Sequence, residues 1–428
     1  MQLNRLSLVN YRSFSRLDVE FDNHLNLIVG WNGTGKSSLL FAIRDLLKPI
    51  VRQLGTFDVA DFIKEDNVRF EMQAVGTRIR FERRYPVELD STLIIDRNEF
   101  KFKVTKNSGS ELATASSFAV EQNIREKIGR IDKDSSVVLP FVALYGPMRN
   151  TASTEASLQA AASQQISRRD SYRSWQDALI SADDLQTWVI GKTLERLQII
   201  SEEGSDSELL VDDELEIVNK TLSNLFWGLK SLRFDLRLRM LMIEFGDGKL
   251  LPFRSLSDGQ RGFVTLIADI CRRMLIVNPQ FGVLTPEKTP GILMIDELDI
   301  HLHPDWQRKV LRAIRDRFPL LQIFATSHSP QMIGGLEPNE VLLMRDQVVS
   351  HPQATFGLDS SRILEDVMEV GAREVEVETE IQLIFKDIED RNFEDAKKRL
   401  ASLKSRAPAL PEYVRAEALI RRVETIGR

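Results

Sequence analysis

The sequence predicts an α/β fold: a mixed, largely parallel sheet flanked by helices, joined by an antiparallel β subdomain, a helical insertion and a helical C-terminal region. Three observations predict it. Short apolar runs at 292–296 and 321–326 lie between helical stretches, the pattern of parallel strands buried on both faces, and 137–145 is continuously apolar. Period-two alternation at 68–75, 77–83, 92–96 and 99–104 suits an antiparallel sheet. From 151 to 230 Ala, Gln, Ser and Glu dominate, and Trp175, Leu179, Leu185 and Trp188 recur at helical spacing.

Residues 2–9 and 15–29 alternate apolar with polar positions and end on a glycine-rich turn, so two early strands are expected, followed by a helix from Lys36 to about Leu47. The run 137–145 is too continuously apolar for a surface strand and reads as a central one. Within the insertion, 201–208 is polar and reads as a loop. Strand alternation resumes at 232–245, with Arg233, Asp235, Arg237 and Arg239 on one face. Beyond about 357 the chain reads as charged helices, with Ala396, Leu400 and Leu403 sharing a face. The expected regions are 1–150, 151–231, 232–345 and 346–428, the second being the insertion and the last a partner-binding region.

A hydrophobic fraction of 43% over 428 residues is ample for a packed core. The net charge of −6 provides no global basic field, so any nucleic acid must be held locally or through a partner. The single cysteine, Cys271, permits no disulfide within one chain and fits a reducing compartment. No apolar run reaches the roughly 18 residues of a membrane span, and the start lacks a charged segment followed by an apolar one. A cytoplasmic, unprocessed protein without membrane contact is the expectation.

The strongest motif is Gly30-Trp31-Asn32-Gly33-Thr34-Gly35-Lys36-Ser37, a phosphate-loop pattern set between an expected strand and an expected helix. Glycines let backbone N–H groups turn inward onto phosphate, the helix N-terminus adds a positive dipole end, Lys36 reaches the β/γ-phosphates, and the Ser37 hydroxyl suits Mg²⁺. An apolar strand ends at Asp296-Glu297, with Asp296 as the metal residue and Glu297 as the general base. Ser257-Asp258-Gly259-Gln260 forms a glycine-containing turn at the head of a helix, which Ser257 can cap. His301 and His303 have alternate spacing, but neither a cysteine nor a third clustered ligand supports zinc.

Phosphate loop, glycine turn, paired carboxylates and a later His328 follow in an order that resembles the RecF/SMC/OLD-like branch of ABC ATPases, over 1–150 and 232–345. The resemblance implies a P-loop ABC ATPase head that uses ATP and Mg²⁺ and works as a homodimer or a higher even-numbered oligomer. Asn32, Thr34 and Ser38 join the loop glycines, Lys36 and Ser37 around the nucleotide, while Ser257, Gly259 and Gln260 reach it from the opposite subunit. The family pattern has glycine where this chain has Asp258. His328 takes the place of the switch histidine that senses γ-phosphate, and 299–304 that of the D-loop. Asn10-Tyr11-Arg12 resembles the N-terminal strand signature in which the arginine approaches the nucleotide; the alternative is a solvated strand arginine. Tyr145-Gly146-Pro147-Met148-Arg149 falls at the Q-loop without a glutamine, leaving Arg149 or a neighbour in that role.

Arg168-Arg169, Tyr172, Trp175, Ala178-Leu179 and Trp188 resemble the insert of stand-alone ATPases from bacterial anti-phage systems, and 357–360 with the tail resembles the PtuA-type ATPases of Septu and retron systems. That implies a slow ATPase partnered by a separate HNH nuclease, with DNA met directly or through the partner. Residues 346–428 show no Asp-x-Asp on a strand, so the nuclease domain of OLD proteins is not visible, and the insertion is too short for a long coiled coil. Two function classes stay open: a regulatory scaffold for an effector nuclease, or a RecF-like repair ATPase whose hydrolysis DNA stimulates. Arg78, Arg80, Arg83 and Arg84, with Arg233, Arg237 and Arg239, suit a phosphate-contacting strip or are solvent-facing strand arginines.

Overall fold

The computed structural model describes residues 1–55, 61–75, 78–116, 118–131, 133–147, 167–204, 213–225, 228–368 and 375–426. The chain divides into two units, Met1–Leu358 and Asp359–Arg428. In the first, β1 (Gln2–Tyr11), β2 (Phe14–Glu20) and β3 (Leu25–Gly30) lead to α1 (Lys36–Leu54). Then come β4 (Phe70–Val75), β5 (Arg78–Arg83), β6 (Val87–Ile95), β7 (Asn98–Lys106), β8 (Thr114–Ser116), α2 (Phe118–Ile131) and β9 (Phe141–Tyr145). Short helical turns at Arg168–Tyr172 and Trp175–Ser181 precede α3 (Ala182–Glu203) and α4 (Glu214–Leu225). The remainder is β10 (Leu229–Asp235), β11 (Met240–Phe245), β12 (Leu250–Pro252), α5 (Asp258–Val277), β13 (Gly291–Ile295), α6 (Pro304–Arg317), β14 (Leu321–Ser327), β15 (Val341–Arg345) and β16 (Val348–Ser350).

The central sheet runs β16-β15-β3-β14-β13-β9, and all but β16 are parallel. Strands β3, β9, β13 and β14 are buried at every position, which is why β9 and β13 read as unbroken apolar runs and β3 and β14 as largely apolar ones. A second, antiparallel sheet runs β2-β1-β6-β7-β8, and α1 packs against both β1 and β3. The fold is therefore the mixed α/β head with an antiparallel β subdomain that the sequence implied. No helix among the described residues is long and apolar enough to cross a membrane.

Four expectations need correction. The N-terminal segment makes three strands, of which only β3 enters the central sheet, because the turn at 21–24 separates it from the β1–β2 hairpin. Helix α1 continues past Leu47 and through Pro49, held by the buried Ile50, Val51 and Leu54 although the proline removes a backbone donor. Strand β9 lies at the edge of the sheet, not its centre; it is buried because the turn Trp175–Ser181 packs against it. The expected face of Arg233, Asp235, Arg237 and Arg239 is broken by a hairpin: Asp235 Oδ1 accepts from the Arg237 and Leu238 N–H groups at 2.9 Å each and turns the chain.

The insert is clamped to the head by buried polar groups. Arg273 on α5 donates to Asp269 Oδ2 at 2.6 Å and to the carbonyls of Ser171, Arg173 and Ala178 at 2.6, 2.7 and 3.4 Å. Arg272 binds the other oxygen of Asp269, and Tyr145 Oη donates to Asp269 Oδ2 at 3.0 Å. Burial pushes the Asp269 carboxyl up, but the two guanidinium groups outweigh it and hold it below its ordinary value. Arg168 donates to the Val277 carbonyl at 2.8 Å, and Tyr172 to that of Pro140 at 2.7 Å. Of the residues that resembled a family insert, Arg168 and Tyr172 are thus side-chain anchors.

In the second unit α7 (Val375–Glu389), α8 (Phe393–Arg406) and α9 (Glu412–Ile426) close on their own core. Ala396, Leu400 and Leu403 pack there with Ile381, Ile384, Ile388 and Tyr413, as their spacing predicts.

Arg273→Met keeps most of the volume but leaves three carbonyls without this donor and Asp269 with one guanidinium. A loss of about 3–5 kcal/mol is expected in chemical denaturation; a change below about 1 kcal/mol would show that the clamp is not stabilising.

Candidate nucleotide site

Strand β3 ends at Gly30, and the loop 31–35 turns the chain into α1 at Lys36. Gly35 has φ +105°, and a Cβ there would lie 2.6 Å from the buried Phe14 ring, so only glycine fits this corner. The buried Lys36 curls back over the loop, and its Nζ donates to the carbonyls of Gly30 and Trp31 at 2.9 Å each. Burial lowers its pKa, against the pull of Asp296, Glu297 and Asp299. Asn32 is exposed, Thr34 is half-buried and donates to the Trp31 carbonyl at 2.9 Å, and Ser38 is half-buried on the first turn of α1.

Parallel register sets the carboxylates beside this loop. Ile295 pairs with Ala325 and Tyr145, and Ser327 with Val29, so the C-terminal ends of β9, β13, β14 and β3 lie together. The buried Asp296 accepts from Ser37 Oγ at 3.0 Å and from Thr326 Oγ1 at 2.6 Å, both at Oδ1, and its N–H donates to the Tyr145 carbonyl at 2.8 Å. Glu297 has φ +50°, a left-handed conformation uncommon outside glycine. His328 follows β14 directly and is half-buried. Burial lowers its pKa below the ordinary 6.5, Lys36 adds to this, and Asp299, Glu297 and Asp296 oppose it. These interactions bring Lys36, Ser37, Asp296, Glu297 and His328 into one site. A carboxylate and a hydroxyl, two hard oxygen donors at adjacent strand and helix ends, fit a Mg²⁺ that keeps most of its water.

Ser257 and Gln260 form a reciprocal capping box at the exposed start of α5, with Ser257 Oγ accepting from the Gln260 N–H. Asp258 pairs with Arg261. A Cβ on Gly259 would collide with the His301 carbonyl, so this turn and the segment 299–303 of the same chain pack backbone to backbone. His303 caps α6, its Nδ1 accepting from the Asp305 N–H at 3.3 Å. Arg12 sits in the β1–β2 turn with its guanidinium 4.8 Å from the Phe41 ring of α1, one turn beyond Ser37. Arg149 lies outside the described residues. In the proposed arginine strip, Arg83 pairs with Glu65 at 3.2 Å and Arg84 with Glu71, so both charges are met within the chain.

Sequence reasoning missed Thr326, although a hydroxyl directly after the apolar stretch 323–325 was its visible signal. It also missed Asp269 and its bond to Tyr145, which only the folded chain joins.

A family model described as "AAA domain, putative AbiEii toxin, Type IV TA system" matches residues 25–333. The chain belongs to this family. It is similar to "Retron Ec83 probable ATPase" of Escherichia coli, 25% identical with 93% of this chain and 82% of the relative covered. It is also similar to "Retron Vc95 probable ATPase" of Vibrio cholerae, 21% identical with 93% and 85% covered. "Septu protein PtuA" of Bacillus thuringiensis is 32% identical over 33% of this chain and 37% of its own. The resemblance to retron ATPases and to Septu PtuA thus holds.

Because His328 is lowered in the folded chain, the unfolded chain binds that proton more readily; the resulting stability is present above pH 6.5 and is lost as pH falls through the folded value. Between about pH 7.5 and 5.5, the urea midpoint is expected to fall more steeply in the natural protein than in His328→Ala. An imidazole titration midpoint by NMR at or above 6.5 would contradict it.

Proposed function

We propose that this chain binds ATP with Mg²⁺, hydrolyses it slowly, and uses its nucleotide state to govern an associated HNH-type nuclease in anti-phage defence. The observation that carries the ATPase reading is the hydrogen bond from Ser37 to Asp296, which joins the phosphate loop to the carboxylate strand with Glu297 as the next residue. The defence reading is supported by the retron ATPases, whose similarity runs along 93% of the chain and so spans insert and tail as well as the head.

In this reading the loop N–H groups and Lys36 bind and orient the β- and γ-phosphates. Ser37 and Asp296 hold Mg²⁺, which when bound offsets phosphate charge. Glu297 accepts the proton of the attacking water, and His328 faces the γ-phosphate. Arg12 approaches the nucleotide from the β1–β2 turn. Two copies close on the nucleotide, with Ser257, Gly259 and Gln260 of one meeting phosphate held by the other; the exposure of the α5 start supports this. The helices of Asp359–Arg428 serve as the partner-binding region.

Glu297→Gln should keep ATP affinity within about threefold while lowering turnover by about 10²–10⁴, and ATP should then hold it as a dimer in light scattering. Rapid turnover by this variant would remove Glu297 from the role of base. Lys36→Ala should lose nucleotide binding in equilibrium dialysis. For the partner, the full chain is purified with and without ATP and the bound proteins are identified by mass spectrometry. A stoichiometric HNH nuclease is expected; no partner, together with DNA-stimulated hydrolysis, would shift the reading to a repair ATPase.

A further inference from the structure

Thr326 is fully buried on β14, a position where valine would match its shape and the neighbouring apolar residues. Its hydroxyl makes two bonds to consecutive residues of the carboxylate strand. Oγ1 donates to Asp296 Oδ1 at 2.6 Å and accepts from the Glu297 N–H at 2.7 Å. A third tether is backbone: the Leu298 N–H donates to the Thr326 carbonyl at 3.0 Å. Three successive residues are therefore fastened to one residue of the adjacent strand.

This fastening bears on Glu297 in particular. Its φ of +50° is unfavourable for a residue with a side chain and persists only where the surroundings hold it. The bond from its N–H to Thr326 and the bond from its carbonyl to the Ile300 N–H at 3.1 Å grip its peptide groups on both sides. At the same time Thr326 and Ser37 share Asp296 Oδ1, so the hydroxyl on β14 and the hydroxyl on α1 fix one carboxylate oxygen between them. The same strand delivers His328 two residues later.

We propose that Thr326 is a positioning residue that sets both carboxylates at once: it orients Asp296 toward the Ser37 side and holds the backbone of Glu297 in the conformation from which its side chain leaves the sheet. This inference rests on the ATPase reading above. It is distinct from a packing role, because the methyl and the hydroxyl of Thr326 are separable by substitution. Without the hydroxyl, the Glu297 N–H loses its acceptor and Asp296 one of its donors in a buried place, while the phosphate loop itself is untouched.

The test compares the full-length natural protein with T326V, T326S and T326C, measuring ATP turnover, ATP affinity by equilibrium dialysis, Mg²⁺ dependence and thermal unfolding. T326S should turn over within about threefold of the natural protein. T326V should lose roughly ten- to a hundredfold in turnover and need more Mg²⁺ for half-maximal rate, with ATP affinity changed by less than about threefold. Turnover by T326V equal to that of the natural protein would overturn the proposal, as would an equal loss in T326S, which would mark a packing role for the methyl. If T326V unfolds below the assay temperature, the comparison passes to T326S against T326C, which differ by oxygen against sulphur; equal rates there overturn it. If the natural protein neither binds nor hydrolyses ATP, the ATPase reading itself fails, and this result is distinguishable from every variant outcome.

Discussion

Parallel register in the central sheet is the constraint on which the rest depends. Because β3, β14, β13 and β9 run the same way and in step, Gly30, Ser327, Ile295 and Tyr145 finish at one edge. Residues far apart in sequence then meet through short polar bonds: Ser37 to Asp296, Thr326 to Asp296 and to the Glu297 N–H, and the Asp296 N–H to the Tyr145 carbonyl. Antiparallel neighbours would place these ends on opposite sides of the sheet. The burial of all four strands is the condition for this register, since a parallel sheet needs cover on both faces.

A second polar assembly lies along α5. Its exposed start carries the Ser257–Gln260 capping box, and about three turns later Asp269 gathers Tyr145, Arg272 and Arg273 in the interior. Arg273 extends that gathering to three carbonyls of the insert. One helix thus presents the glycine turn at its exposed end and fixes the insert at its middle, while Tyr145 connects it through its own carbonyl to Asp296. Buried charge of this kind is costly unless fully paired, and here every oxygen of Asp269 has a donor.

The phosphate loop, the carboxylate pair and His328 were legible because each sits beside a strand whose apolar run announces it. The same signal misread β9: continuous apolarity reports burial, not rank in the sheet, and a helical turn covering an edge strand gives it the pattern of a central one. The arginines at 233, 237 and 239 misled for a related reason. Period-two alternation continues through a tight hairpin, and the only local cue was Asp235, whose carboxylate caps the turn. Tyr172 and Arg168 were visible as unusual residues in a polar helical segment, yet their work as anchors depends on carbonyls of Pro140 and Val277 that no local pattern indicates.

The sequence by itself determined the strand and helix types, the glycine-rich loop before α1 and the order of the polar groups that follow, because backbone conformation and burial follow from residues near one another in the chain. Tertiary structure alone decided which strand lies at the edge, that Gly259 packs on the His301 carbonyl, and that Thr326 and Ser37 share one oxygen of Asp296. Those facts depend on distances between residues as many as 259 positions apart, and a hydrogen bond has no reach until the sheet has brought its partners together.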